Sequence, residues 1–194
     1  MGLCATNYKQ LHDAGYKVKH WLCKGEHMGV PQTRHRVFFV ALRGDVDFNL
    51  GHLDMSFDYE PIYFKDIKSQ QGVPIQGETY HDLFRYFVDG DESLAEANIR
   101  RKNKRSFFNN KWIYDDKVVP TLTAKRVNIR ADKKCWMSNN DIVSVSTFPC
   151  DYDFLNGKNS FVHYICGMSV PPVMIKRIVQ RLIESGVFAY KGVL

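Results

Sequence analysis

The chain has 194 residues and a mass of 22.5 kDa, room for one domain or two small ones. Its 44% hydrophobic and 13% aromatic content excludes a wholly disordered chain, and no apolar run approaches the ~20 residues of a membrane-spanning helix. With 27 Lys/Arg against 21 Asp/Glu the net charge is +6, which points toward a polyanionic partner.

In chain order, Asn7 to Ala14 reads as a short helix closed by Gly15, and Tyr16 to Cys23 as a strand. Gly25 to Arg36 is punctuated by Gly and Pro and reads as a loop. The run Val37 to Leu42 is continuous, apolar and β-rich, the pattern of a strand buried on both faces. This opening suggests the edge of an α/β sheet. Gly44 to Pro61 is irregular, and Ile62 to Lys68 is a candidate short amphipathic element. Ser93 to Arg105 carries acids early and bases late, matching a helix dipole. Val118 to Ile129 reads as short strands. Ser138 begins a helix to Val145, with Asp141 placed to complete a capping box and Phe148-Pro149 to end it. Val173 to Ile183 is amphipathic, with Val173, Ile175, Ile178, Val179, Leu182 and Ile183 near helical spacing and Lys176, Arg177 and Arg181 on the opposite face.

The five cysteines are odd in number and none is spaced Cys-x-x-Cys, so neither a disulfide framework nor a metal site is expected. No apolar leader opens the chain, so the expected compartment is the cytoplasm, with no membrane attachment. The basic character sits in one segment: Arg100 to Lys134 holds twelve Lys/Arg and three acids, a net +9, while the remainder sums to −3. Phe107, Phe108, Trp112 and Tyr114 interleave with these charges. Cations neutralise phosphates and aromatics stack on bases, although a solvated surface over buried aromatics has the same composition.

Three short motifs stand out. Gln32-Thr33-Arg34-His35-Arg36 places two arginines two residues apart at the mouth of a strand, where extended geometry points both the same way. Two guanidiniums on one side suit a phosphate, a carboxylate or a base edge. The second motif, Phe148-Pro149-Cys150-Asp151-Tyr152, has no chemistry of its own and fits a helix terminator. The third, Gly167-Met168-Ser169-Val170-Pro171-Pro172, reads as a Gly/Ser turn at a helix N-terminus, where free amides bind anions or small polar ligands, or as an ordinary helix start.

Their order and spacing, with Gly15-Tyr16 ahead of them, resemble the C-terminal part of the cytosine-5 DNA methyltransferases, of phage or restriction–modification type. The segment from Gly44 to Arg130 resembles only a variable region of suitable length. Two positions depart from the family pattern: Met168 stands where Asn is usual, and Ser144 where Arg is usual, while Asp141 replaces the usual acid. The resemblance implies an α/β fold: the end of an S-adenosylmethionine-dependent methyltransferase sheet plus a small mixed target-recognition domain. The implied division is 1–44 for the end of the catalytic domain, 45–134 for target recognition, and 135–194 for the Phe-Pro motif and the helix returning to the catalytic domain.

The resemblance also implies site residues. Arg36 would reach a flipped cytosine, Arg34 would support it, and Gln32 would order the loop. Gly167, Met168, Ser169 and Val170 would line part of the S-adenosylmethionine pocket. Thr121, Thr123, Lys125, Arg126 and Arg130 would contact double-stranded DNA. The family's Phe-x-Gly-x-Gly, Gly-Pro-Pro-Cys-Gln and Glu-Asn-Val segments are not in this sequence, so an N-terminal catalytic half, in the same chain or a separate one, is expected as a partner, and no activity without it. A non-catalytic recognition subunit and an RNA cytosine methyltransferase of the same fold are the alternatives.

Overall fold

The computed structural model describes the backbone of residues 2–105, 108, 110–125, 127–155 and 159–189, with the side chains of these except 2–7 and 159. Helix α1 (Gly2–Asp13) ends at Gly15, whose φ of +85° makes the reversal into β1 (Tyr16–Lys24). A 3-10 turn (Gly25–Met28) and a two-residue strand β2 (Gln32–Thr33) lead to β3 (His35–Arg43). Strands β1 and β3 pair antiparallel, with Tyr16 opposite Arg43 and Lys24 opposite His35.

This pair is not buried on both faces, as the apolar run Val37 to Leu42 suggests. One face, carrying Cys23, Trp21, Phe38 and Val40, packs into the first core. On the other, Tyr8 of α1 meets His20 and Phe39, while Leu22 is 60% and Val37 45% exposed. The alternation of a half-covered strand therefore holds despite the apolar composition.

The first core continues through Leu50, Leu53 and Met55 to Met174 and Ile178 of the last helix, α6 (Pro172–Glu184). Residues 45–57 thus pack with the hairpin and α6, which moves the packing boundary past position 44. Helix α6 begins with Pro at its first turn, as its sequence suggests. Its buried face keeps half of the expected set: Ile178 is buried and Val173 and Leu182 pack on the core, joined by fully buried Met174, while Ile175, Val179 and Ile183 are 45%, 43% and 61% exposed. Arg177 and Arg181 lie over the Tyr59 and Phe57 rings, at 4.0 and 5.1 Å, so residues 57–59 cover the flank the basic residues occupy.

The middle of the chain builds two further cores. One gathers Phe64, Ile113, Val119, Leu122, Met137, Ile142 and Cys166. It packs α4 (Asn139–Val145) against α5 (Asn159–Met168). The other holds Leu83 and Phe84 of α2 (Glu78–Phe84), Leu94 of α3 (Leu94–Lys102), and Trp112 of β4 (Lys111–Ile113). Strand β4 runs parallel to β6 (Asn128–Arg130), and β7 (Cys135–Trp136) pairs antiparallel with β6. Strand β5 (Val119–Pro120) leaves that sheet and pairs in parallel with β2. Helix α4 starts as its sequence signals: Ser138 Oγ accepts from Asp141 N at 3.1 Å, and Ser138 N donates to Asp141 Oδ2 at 2.9 Å.

Candidate functional site

The loop before β3 is closed by its own backbone. Gly25 N donates to Arg34 O (2.9 Å), Val30 N to Gly25 O (3.0 Å), and Arg34 N to Gln32 O (2.8 Å). A Cβ at Gly25 would stand 3.0 Å from Gln32 O and 3.1 Å from Arg34 O, so only glycine allows this approach without a shift.

Gln32 is fully buried and bonds three ways. Its Oε1 accepts from Leu122 N (3.1 Å) and Arg34 Nη1 (3.3 Å), and its Nε2 donates to Val145 O (3.4 Å). Arg34 is equally buried: Nη1 donates to Leu122 O and Nη2 to Gly167 O, both at 2.9 Å. Burial, and then the nearby charge of Arg36, lower the Arg34 pKa to about 10, so it stays protonated at neutral pH. Arg36 lies beyond it, opposite Cys23 in the hairpin and half-buried, its Nη1 donating to His35 O at 2.7 Å. The two arginines therefore divide: Arg34 faces the protein, and Arg36 keeps an accessible guanidinium.

Gly167 does not lie in a turn at a helix N-terminus. It sits in the last turn of α5, where the final carbonyls of a helix lack intrahelical partners, and Arg34 caps its carbonyl. A Cβ at Gly167 would collide with the Thr123 carbonyl, so the glycine lets α5 touch the segment after β5. Ser169 Oγ donates to Ile165 O at 2.6 Å, Val170 packs on the first core, and Met168 is 61% exposed. The Gly167 carbonyl and the Ser169 hydroxyl are thus engaged internally. These four residues do not by themselves form a holder for S-adenosylmethionine.

Of the expected DNA contacts, Thr121 donates its hydroxyl to Thr33 O, and Thr123 Oγ1 to Lys125 O at 2.9 Å. Together with Lys125 they line a groove of about 830 Å³, joined by Lys111, Lys117 and Tyr114. Arg126 lies outside the described residues. Arg130 is not a surface residue. It is fully buried, with Nη1 to Ser69 O (3.0 Å) and Asp141 Oδ2 (3.3 Å) and Nη2 to Asp132 Oδ2 (2.8 Å). Its position in β6 at the heart of the sheet turns it inward, where two carboxylates compensate its charge.

The +9 segment is therefore not uniformly a surface field. Arg100, Arg101 and Arg130 pair with Asp91, Asp82 and Asp132, and Lys133 and Lys134 donate to the carbonyls of Gln70 and Phe84. Lys111, Lys117 and Lys125 have no carboxylate partner among the described residues, and these three line the groove. The groove falls within the stretch where charge and aromatics interleave, but Lys111, Lys117 and Tyr114 carried no signal in the sequence that separates them from their neighbours. Buried Cys23, Cys135 and Cys166 have thiols pushed up by burial, the opposite of an activated thiolate.

The sequence model of one family, C-5 cytosine-specific DNA methylase, matches residues 3–184. A Type II methyltransferase of Lysinibacillus sphaericus, M.BspRI, is 25% identical over 165 residues, covering 75% of this chain and 36% of that protein. Another, M.BbvI of Brevibacillus brevis, is 22% identical over 191 residues, covering 88% and 50%. The chain thus spans half or less of the length of these relatives. Its fold is similar to that of a mutant of Spodoptera frugiperda DNMT2, with a TM-score of 0.65 at 11% identity over 94% of this chain and 62% of that one.

Proposed function

Because the chain belongs to the C-5 cytosine-specific DNA methylase family, we propose that it forms the base-contacting and target-recognition part of a DNA (cytosine-5) methyltransferase of restriction–modification type, acting on duplex DNA. The observation that carries this reading is the lock at Gln32 and Arg34. It joins the arginine loop, the segment after β5 and the end of α5 at one buried guanidinium. Three segments far apart in sequence are thereby held at one place, with Arg36 left accessible beside them.

Cytosine C5 is a poor nucleophile. In the proposed reaction a thiolate adds to C6 of an extruded cytosine and an acid assists at N3, which makes C5 nucleophilic; once C5 carries the methyl group, its proton is lost to a base and the C6–S bond breaks, which releases the thiolate and restores the ring. Charge develops on the ring, and Arg36 is the cation placed to stabilise it; Arg34 and Gln32 hold its loop. S-adenosylmethionine supplies the methyl group. Its pocket needs more than Gly167 to Val170, whose polar groups are largely engaged. The buried thiols of this chain are poor candidates for the nucleophile, and Cys150 stands in the Phe-Pro turn. Nucleophile and cofactor loops accordingly belong to the remainder of the methylase fold, carried by the same polypeptide or a second chain.

The test supplies that remainder from a Type II relative, in cis or in trans, and measures single-turnover methyl transfer to duplex DNA. Arg36→Ala is expected to slow the chemical step on the order of 10²–10³-fold with DNA affinity nearly unchanged, as when one preorganised donor is lost. Arg36→Lys should rescue poorly, because an ammonium lacks the planar fork. A chemical step within twofold of wild type would overturn the assignment of Arg36. Methylation of duplex RNA in preference to DNA would overturn the substrate.

A further inference from the structure

The groove beside Thr121 and Thr123 contains one charge of the wrong sign for a polyanion. Glu92 lines it together with Lys111, Lys117 and Lys125. The Glu92 side chain makes no hydrogen bond or ion pair with any described residue, although three lysines share the cavity. Other acids of the same region do meet cations, among them Asp91 with Arg100, Asp82 with Arg101, and Asp115 and Asp132 with Lys68.

The backbone around Glu92 is rigidly placed. Trp112 N donates to Glu92 O at 3.1 Å, Leu94 N to Asn110 O at 2.9 Å, and Ser93 bridges to Lys111. Ser93 then caps α3, accepting from Ala95 N at 3.2 Å. The backbone that carries Glu92 is thus held in the same ladder as that of Lys111, which sets the acid and this lysine on one wall of the groove.

A carboxylate accepts hydrogen bonds and donates none. The sugar–phosphate backbone of DNA offers it only acceptors and negative charge. The donors that a major groove presents are the exocyclic amino groups, N4 of cytosine and N6 of adenine. An acid retained among phosphate-binding lysines opposes binding unless it meets such a donor. It also repels the O6 and N7 of guanine and the O4 of thymine. We propose that Glu92 is a specificity-determining residue that reads an amino-bearing base, cytosine or adenine, on duplex DNA whose phosphates are held by Lys111, Lys117 and Lys125. This inference rests on the DNA-binding reading above and adds a base preference to it.

The experiment selects from a random duplex library with the chain as it stands and with Glu92→Ala. The wild-type chain is expected to enrich cytosine or adenine at one position, and Glu92→Ala to flatten that position by roughly five- to a hundredfold while leaving the other enriched positions in place. Replacing the selected base with its analogue lacking the amino group should weaken wild type by a similar factor and leave Glu92→Ala unaffected. Glu92→Gln, which keeps an acceptor and gains a donor, should lose the aversion to guanine and thymine there; thermal unfolding confirms that both variants fold. Duplex binding with the same positional preference in wild type and both variants overturns the role of Glu92 alone. Failure of the wild-type chain to bind any duplex overturns the DNA-binding reading itself, and this inference with it.

Discussion

Removing the Arg34 guanidinium tests whether it is the pin that assembles the site. In Arg34→Met the side chain keeps its length and apolar stem. Two bonds of 2.9 Å, to Leu122 O and Gly167 O, disappear, and the Gln32 amide loses a neighbour. Hydrogen bonds to a charged group contribute about 1.5–3 kcal/mol each, so the expected loss is roughly 3–6 kcal/mol. Replacing a buried ion by an apolar group is often neutral when its partners are replaced too. Here the two carbonyls remain, buried and unsatisfied, and the cost stands. Against a total stability of about 5–15 kcal/mol, such a loss approaches global unfolding. Urea denaturation followed by tryptophan fluorescence and circular dichroism should show the midpoint fall by roughly 2 M, given a slope of about 2 kcal/mol/M, or no folded baseline at all. Arg36→Ala is the internal comparison. Its described hydrogen bond goes to the adjacent His35 carbonyl, so its stability should stay within about 0.5 kcal/mol of wild type. An Arg34→Met protein within about 1 kcal/mol of wild type would refute the pin.

Three further outcomes are expected. Gly167→Ala should destabilise by at least about 2 kcal/mol, because its methyl group meets the Thr123 backbone rather than a movable side chain; an unchanged thermal midpoint would show that α5 can shift away. Burial alone would raise the Asp132 carboxyl, but hydrogen bonds from Arg130 and Lys68 outweigh it and hold the pKa at about 2. With the folded pKa below the unfolded one, this stabilisation is full above the ordinary value of 3.8 and is lost as pH falls toward 2, so Asp132→Asn should flatten the acid limb of a stability–pH curve; a limb as steep as that of wild type would show that Asp132 does not contribute to it. Converting Lys111, Lys117 and Lys125 together to Ala should reduce the slope of log K against log salt for duplex DNA by up to roughly three, one per phosphate contact; an unchanged slope in a gel-shift series would remove the groove from the DNA surface.

Local features were legible in the residues themselves. The capping box at Ser138 and Asp141, Pro172 at the start of α6 and Gly15 after α1 each act over a few residues, and each element forms where those signals put it. The order of the motifs carried the family, because order survives where pairwise identity falls to 22–25%. What tertiary structure decided is which copies of a repeated chemistry face inward. Arg34 and Arg36 look equivalent in an extended segment, yet one is consumed by carbonyls from Leu122 and Gly167, 88 and 133 residues away. Arg130 sits in the same basic stretch as Lys125, but β6 runs through the sheet interior beside Asp141, and so it is buried while Lys125 stays in solvent. The buried side of α6 likewise takes Met174 and Ile178 and leaves Ile175, Val179 and Ile183 exposed, because hydropathy ranks all five as apolar and only the position of the hairpin chooses among them. A side chain's chemistry is local, but its exposure depends on what the rest of the chain lays against it, and at Arg34 that partner arrives from the far end of the sequence.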